Sequence, residues 1–218
     1  MLGCGMRIFG LAVLAVLAGC GRSVQEVAEP ASWELLSPVH AAGWRSAGIP
    51  EQGAAVVREG EIHLEAGLPM TGIAFAGWAA AGLPGTGYAV EYEAMRVDGE
   101  DIFGMLTFPV ASHGAHATFV LGGWGGTLTG ISSIDFADAS ENSTRGEQRF
   151  ANGRWYHVRL EVRPDDLRAW VDGRIVVNAG IKGRKVGLRP GFIDHCLPFG
   201  FASWNTEARI RAVRVEKL

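Results

Sequence analysis

The stretch "NGRWYHVRLEVRPDDLRAWVDGRIVV", residues 152–177, decides the fold class. From residue 155 to residue 162, apolar side chains such as Tyr156 and Val158 alternate with polar ones such as His157 and Arg159. A period of two is that of a β-strand with one buried face. The sequence Pro-Asp-Asp at residues 164–166 then turns the chain, and Asp-Gly at residues 172–173 supplies the positions that a tight hairpin requires. The stretch therefore predicts three consecutive antiparallel strands.

The rest of the chain continues this pattern of short β-type runs, each bounded by Gly, Pro, Asn or Asp. In full, the runs span residues 54–58, 61–64, 72–75, 88–97, 103–110, 117–121, 155–162, 167–171, 174–177, 199–204 and 210–215. In the last run the alternation slips near residues 212–213, which predicts a β-bulge. Many short strands with turn signals between them indicate an all-β sandwich or barrel.

The first twenty residues are typical of a targeting segment. Arg7 precedes an apolar run at residues 8–18, which is too short for a membrane-spanning helix. The run ends in Leu-Ala-Gly-Cys, which resembles the bacterial lipobox and implies cleavage before Cys20, with diacylglycerol on its sulfur and an acyl chain on its amine. Gly21 in place of Asp implies delivery to the outer membrane. The alternative is an ordinary secretory signal with an incidental cysteine.

This interpretation divides the chain into a signal peptide at residues 1–19, a lipidated cysteine with its tether at residues 20–31, and one domain at residues 32–218. The formal net charge of −3 argues against nucleic acid as a partner. Cys4 leaves with the signal peptide and Cys20 carries lipid, so Cys196 has no disulfide partner and is expected to be a buried small side chain. His113 and His116 lack a third zinc ligand at a suitable spacing, so no metal site is assigned to them.

Two segments of the opening stretch, "GRWYHVRLEV" and "AWVDGRIV", resemble the concanavalin A-like lectin/glucanase superfamily, in particular its laminin-G-like and 3-keto-disaccharide hydrolase-like members. The segments at residues 92–110, 122–144 and 197–218 resemble a narrower subgroup of bacterial lipoproteins. The resemblance implies a jelly roll of two packed antiparallel sheets. It also implies ligands on the concave face or on the loops at its rim.

Glu91 and Glu93 lie two residues apart on a predicted strand, so their side chains point to the same side. Such a pair has a separation suited to glycoside hydrolysis. The surrounding residues lack the central Asp and last Glu of the superfamily's glucanase motif, which makes glucanase chemistry doubtful. The alternative is a solvated face on which Arg96 or another arginine neutralises both carboxylates.

The segment "GGWGG" at residues 122–126 cannot be the interior of a regular strand, because glycine there marks a bulge, a bend or a close backbone approach. The glycines leave Trp124 with few covering neighbours, so its ring is a candidate platform for a sugar. A half-exposed indole suits a sugar because its face is apolar and its N–H is free to donate. The alternative is that Trp124 packs under the loop that follows it.

Four oxygen-bearing side chains follow within eight residues: Asp135, Asp138, Glu141 and Asn142. Hard oxygen ligands of this kind suit Ca²⁺, but their spacing does not match a calcium-binding loop. Asx-turns explain the same residues without a metal. We therefore assign no cofactor and retain calcium as the alternative.

The leading hypothesis is a lipid-anchored jelly roll that binds saccharide at the cell envelope. Its site is predicted to comprise Trp124, residues 135–142, Arg189 and Trp204. One alternative is a glycoside hydrolase or lyase whose acid and base are drawn from Asp135, Asp138, Glu91 and Glu93. A second alternative is a laminin-G-like module that binds a protein partner.

Overall fold

The structure is a computed structural model that describes Met1 and residues 32–218. Cys20, the tether and the rest of the predicted signal peptide lie outside the described residues, so these predictions stay untested. Within the described part of the chain, no helix is long and apolar enough to cross a membrane.

The described residues form fifteen strands and a few short helical turns. The strands are β1 Ser32–Glu34, β2 Trp44–Ser46, β3 Ala55–Arg58, β4 Glu61–Leu64, β5 Met70–Phe75, β6 Tyr88–Asp98, β7 Met105–Val110, β8 Ala115–Gly122, β9 Leu128–Ser132, β10 Gly146–Glu147, β11 Trp155–Val162, β12 Asp166–Val171, β13 Arg174–Gly180, β14 Gly200–Trp204 and β15 Glu207–Lys217. A single turn with left-handed backbone at Trp124 and Gly125, called α1 here, spans Gly123–Gly126, and 3₁₀ turns span Ala41–Gly43, Ala111–His113 and Phe192–Cys196.

The strands make two sheets, and every paired neighbour within them is antiparallel. Sheet A has the order β13-β12-β11-β6-β15-β4-β3, with β1 added alongside β15. Sheet B has the order β10-β9-β8-β7-β14-β5-β2. The two sheets pack face to face, which confirms the predicted all-β jelly-roll sandwich.

The core between the sheets is rich in aromatic rings, several of which are tied to the opposite sheet. Tyr88 and Tyr92 on β6 are fully buried, and their hydroxyls donate to the carbonyls of Pro109 and Gly104, which belong to the β7 region of sheet B. The ring of Tyr92 also packs edge-on against that of Phe201 on β14. Burial of each such ring contributes roughly 1.5–3 kcal/mol to stability. The hydrogen bonds of the two hydroxyls fix the position of one sheet relative to the other.

The strands predicted around the opening stretch are confirmed. β11 spans the predicted residues, and Asp172 and Gly173 both have positive φ at the turn between β12 and β13. The predicted bulge is also present, because the register of β15 against β6 shifts between Arg211 and Arg214. Four strands, β1, β2, β9 and β10, were not predicted from the sequence.

Sheet B differs from sheet A in that both of its faces are covered. Every residue of β5, β7 and β9 is buried, and a second apolar cluster lies on the face that points away from the core. That cluster is covered in part by the segment before β14, from which Ile193 and Cys196 contribute. The prediction of a buried Cys196 is confirmed, and burial raises the pKa of its thiol to about 12.

Candidate functional site

A groove with a volume of about 450 Å³ lies on the outer face of sheet B. Its floor is made by side chains from five neighbouring strands that point away from the core: Met70, Met105, Thr118, Val120, Ser132 and Trp204. Most of the floor is apolar, because outward-facing side chains of this sheet such as Met70, Met105 and Val120 belong to the second apolar cluster. The groove therefore follows from the covering of sheet B on both faces.

Three segments form the walls of the groove. On one side stand the turn after β6, with Asp101 and Ile102, and α1, with Trp124. On the other side stand residues 189–193, where Phe192 is exposed. Trp124 is 45% exposed and Trp204 is 36% exposed, so both indoles offer an open surface to the groove.

The turn that presents Trp124 has an unusual backbone. Trp124 has φ 48° and ψ 56°, the left-handed conformation that a residue with a side chain rarely adopts, and Gly125 after it has φ 82°. Gly126 has φ +94°, and a Cβ atom there would lie 2.5 Å from the carbonyl oxygen of Glu100. Left-handed backbone at a non-glycine residue costs of order 1–3 kcal/mol and is found at functional sites more often than elsewhere.

Asp101 ties this turn to the groove wall. One of its carboxylate oxygens accepts from its neighbour's backbone N–H, that of Ile102, at 2.8 Å, and the other accepts from the backbone N–H of Gly125 at 3.3 Å. The prediction that the glycine segment interrupts regular strand structure is confirmed, and so is the exposure of the indole that it carries.

Arg189 connects the opposite wall to Trp124. Its guanidinium carbon lies 5.7 Å from the centre of the Trp124 ring, and its Nη1 lies 2.6 Å from a carboxylate oxygen of Asp138. The ring, the cation and the carboxylate thus form one chain of contacts at the groove mouth. A guanidinium over an indole face at this range is attracted to it by about 0.5–1 kcal/mol at an exposed site.

Comparison with known proteins agrees with this architecture. No protein-family model matches the chain, and no curated protein matches it in sequence. Among solved structures, the carbohydrate-binding module CBM66 from Bacillus subtilis matches with a TM-score of 0.51 at 17% identity, over 80% of this chain and 96% of that one. The fold is that of the concanavalin A-like jelly-roll sandwiches.

Two further solved structures share this concanavalin A-like fold. The apo Crh5 transglycosylase has a TM-score of 0.56 at 12% identity, over 87% of this chain and 85% of that one. A Bacillus subtilis protein with a galectin-like fold has a TM-score of 0.53 at 10% identity, over 85% and 94% of the two chains. At these identities the similarity shows the fold alone.

Within this sandwich, the structure brings together three of the predicted site residues. Trp124, Arg189 and Trp204 all line the groove, and Asp138 joins them through its ion pair with Arg189. Asp138 also accepts a hydrogen bond from the backbone N–H of Ser140, as an Asx-turn does. Four side chains that the sequence placed around one site are therefore neighbours.

The three other predicted site residues of segment 135–142 lie outside the groove lining: Asp135, Glu141 and Asn142. Asp135 accepts from Arg184 Nε and from the backbone N–H of Lys185, and these hydrogen bonds lower the pKa of its carboxyl. The side-chain amide of Asn142 donates to the carbonyl of Ile131 and closes its own loop, and Glu141 is exposed. Their place in a ligand site stays a prediction.

The predicted carboxylate pair lies on the other side of the molecule. Glu91 and Glu93 point outward from sheet A, where Arg159 Nη1 lies 2.5 Å from Glu91 and Arg211 Nε lies 2.6 Å from Glu93. This is the solvated, arginine-neutralised face that the sequence left open as an alternative. Arg96 is not the partner, because it is buried on the core side and donates to the carbonyl of Phe150.

The described residues contain no group of three or more His, Cys, Asp or Glu side chains arranged to hold a metal ion. His113 Nε2 lies 2.8 Å from the carbonyl oxygen of Ile181, and burial lowers the pKa of His116. Neither histidine lines the groove.

Several groove residues were missed from the sequence. Met70, Met105 and Phe192 are apolar, so the sequence does not distinguish them from core residues, and no predicted site feature included Asp101 or Ser132. The one signal that would have indicated the floor is an apolar residue on the face of a strand that points away from the core. That signal requires the strand pairing, which the sequence alone does not provide.

Proposed function

We propose that this protein binds saccharide in the groove on the outer face of sheet B, and that the lipid predicted on Cys20 holds it at the cell envelope. The observation that carries the proposal is the pair of half-exposed indoles, Trp124 and Trp204, on the lining of one apolar groove. Sugar rings present C–H faces that stack on such rings, while their hydroxyls hydrogen bond to polar groups at the edge.

The size and composition of the groove support this proposal. A volume of about 450 Å³ falls within the range of roughly 300–1,000 Å³ that is usual for small-molecule sites. The lining combines apolar and aromatic side chains with a few polar groups, namely Asp101, Thr118, Ser132 and Arg189. Such a mixture suits a ligand that has both apolar faces and hydroxyl groups.

The solved structures of similar fold lend further support. They include a carbohydrate-binding module, and the Crh5 transglycosylase has also been solved in complex with NAG, at a TM-score of 0.56 and 10% identity to this chain. A shared fold does not carry a shared ligand. The proposal therefore rests on the groove of this chain first.

The arrangement of carboxylates favours binding without turnover. A glycoside hydrolase of the usual kind needs two carboxyl groups about 5–9.5 Å apart around the scissile bond. Asp101 is the one carboxylate among the groove-lining residues, and both of its oxygens accept backbone N–H groups. Asp138 lies outside that lining and is paired with Arg189. Glu91 and Glu93 lie on the outer face of sheet A, so they cannot reach the same ligand.

The topology suits a domain that is anchored at its N-terminus. β1 begins at Ser32, which pairs with Glu216 near the end of β15. Trp204 lies just before the start of β15 at Glu207, so the groove and the point where the chain enters the domain are at opposite ends of that strand. Its eleven residues span about 35 Å. An anchor preceding residue 32 would therefore attach to the end of the domain opposite Trp204.

A glycan array tests the proposal, with the full chain in mild detergent and a parallel assay for released sugar ends. The wild type is compared with Trp124→Ala and with Trp170→Ala, a matched control from the outer face of sheet A. We expect the wild type and Trp170→Ala to bind the same glycans and release no product. Trp124→Ala should bind about tenfold or more weakly, because a central aromatic contact carries much of the binding energy.

Two results would contradict the proposal. Release of new sugar ends by the wild type would establish a hydrolase in place of a binding module. Wild-type silence on every glycan would move the assignment to a protein partner, which the laminin-G-like resemblance also allows.

A further inference from the structure

The charged side chains that line the groove already have partners within the protein. Among the groove-lining residues, the ionisable side chains are Asp101 and Arg189. Asp101 accepts two backbone N–H groups, and Arg189 is paired with Asp138. With Asp138 included, the groove and its mouth carry two carboxylates and one guanidinium, so an anionic ligand would meet a net negative charge. A carboxylate on the ligand would therefore gain little from Arg189 and would be repelled by the other two groups.

One polar side chain of the groove has no partner in the protein. Ser132 is 4% exposed, lies on the groove floor, and its hydroxyl makes no hydrogen bond to any described residue. The hydroxyl of Thr118 beside it, by contrast, lies 3.5 Å from that of Thr107. A buried hydroxyl without a partner is costly, so a site of this kind gains when a ligand supplies the missing hydrogen bond.

The Ser132 oxygen is itself covered in this structure, so a ligand in the groove reaches it through a change of the χ1 rotamer. Serine has three staggered χ1 rotamers, and exchange among them moves Oγ without disturbing the backbone of β9. Ser132 shares the groove lining with Trp124 and Trp204, and its strand register places it beside Thr118, further along the groove floor than the two indoles. A hydroxyl serves as both donor and acceptor, so it matches a sugar hydroxyl in either role.

Resting on the saccharide-binding function proposed above, we infer that the groove takes an uncharged saccharide, one hydroxyl of which hydrogen bonds to Ser132. Trp124 and Trp204 supply the apolar contact, and Ser132 distinguishes ligands by what they place on the floor. A sugar whose primary hydroxyls have been replaced by carboxylates loses affinity through the charge. A sugar that lacks a hydroxyl at the floor loses affinity through the unpaired serine.

The test uses the full chain in mild detergent and isothermal titration calorimetry. The probes are neutral hexasaccharides of glucose, mannose, galactose and N-acetylglucosamine, each beside its derivative with C6 hydroxyls oxidised to carboxylates. The variants are Ser132→Ala, Trp124→Ala and Ser203→Ala. Ser203 is a matched control, because its hydroxyl is also buried without a partner but lies outside the groove lining.

We expect at least one neutral probe to bind, with its oxidised form about tenfold or more weaker. Ser132→Ala should bind that neutral probe about five- to tenfold more weakly, since one hydrogen bond is lost. Ser203→Ala should bind like the wild type. Without ligand, the Tm of Ser132→Ala should equal or exceed that of the wild type, because the change removes an unpaired buried hydroxyl.

Equal or tighter binding of an oxidised probe would overturn the inference. Unchanged affinity in Ser132→Ala, or a fall in its unliganded Tm that accounts for weaker binding, would overturn it as well. In each of these cases, loss of binding in Trp124→Ala would leave the proposed function standing. Binding of no probe by the wild type would overturn the inference, and the glycan array would then decide the proposed function separately.

Discussion

The outer faces of the two sheets belong to the same sandwich, yet they present opposite chemistry. On sheet A, glutamates and arginines alternate across neighbouring strands and pair with one another, as Arg159 does with Glu91, Glu161 and Glu216. On sheet B, the outward side chains are uncharged and mostly apolar, with a few hydroxyls such as those of Thr118 and Ser132, and loops cover them except along the groove. The same backbone architecture therefore gives one face whose charged side chains are paired with one another and one face that has a groove open to a ligand.

The charged face shows why a pair of carboxylates at suitable spacing does not make an active site. Burial alone would lower the pKa of Arg159, but its hydrogen bonds to Glu216, Glu91 and Glu161 raise that pKa above its ordinary value. Each carboxylate of the group already has a cation as its partner, so none is free to transfer a proton to a substrate.

The largest effect should come from crowding the turn that presents Trp124. Gly126→Ala should lower the free energy of unfolding by about 3 kcal/mol, because the backbone is left-handed and the new Cβ would overlap the carbonyl oxygen of Glu100. Gly125→Ala is the matched control, since its backbone is also left-handed but no atom lies within 4 Å of a Cβ there. It should cost about 1 kcal/mol.

Urea denaturation of both variants measures this difference, and saccharide affinity should fall further in Gly126→Ala than in Gly125→Ala. Equal stability of the two variants would show that the close approach to Glu100 is not what shapes the turn.

An intermediate effect, confined to stability, is expected on sheet A. Arg159→Met should lower the free energy of unfolding by about 1–2 kcal/mol, because three partly buried glutamates lose their shared partner. Arg145→Met is the control, since the ion pair between Arg145 and Glu147 is exposed and should contribute less than about 0.5 kcal/mol.

Saccharide affinity should stay at the wild-type value in Arg159→Met. Weaker binding in this variant would mean that the charged face takes part in ligand recognition, and the contrast between the two faces would fail.

The smallest effect is the acid sensitivity of the charged face. Burial raises the pKa of Glu161, but hydrogen bonds from Arg163 and Arg159 outweigh it and lower that pKa overall. A lowered pKa stabilises the folded state above the ordinary glutamate value of about 4.3, and this contribution disappears as pH falls through the lowered pKa. Glu161→Gln should therefore be less stable than the wild type at pH 7, by at most about 1 kcal/mol.

Chemical denaturation at a series of pH values measures the gap between the two proteins, which should close as pH falls below about 4. The control is Glu141→Gln, because Glu141 is exposed and forms none of the ion pairs found among residues 32–218. A gap for Glu161→Gln that persists unchanged at acid pH would show that the lost contact is not ionic.

The contrast between the faces also explains what the sequence could predict. β11 was predicted because sheet A has one buried and one solvated face, so Tyr156 and Arg159 alternate along it. β9 was missed because both of its faces are buried, and its sequence Leu-Thr-Gly-Ile-Ser shows no alternation. A two-sided strand with small residues looks like a loop, and the residue that ends it, Ser132, was missed with it.

Part of the site could be predicted for the same physical reason. Trp124 was found because glycine on both sides leaves an aromatic ring uncovered, whatever the strand pairing. Asp101 and Phe192 reach the groove only through the arrangement of loops at one end of the sandwich, and the chain places them 91 positions apart. Nothing local in the sequence records that proximity.

The most direct test of the central claim is a two-dimensional ¹⁵N NMR titration that follows the tryptophan indole N–H signals of the wild-type protein. The titrant is a saccharide that the protein binds on the glycan array. Trp124 and Trp204 report on the groove, whereas Trp155 and Trp170 report on the outer face of sheet A. We predict that the first two signals shift together with added saccharide while the second two stay in place. Shifts at Trp155 or Trp170 with Trp124 and Trp204 unmoved would contradict the account.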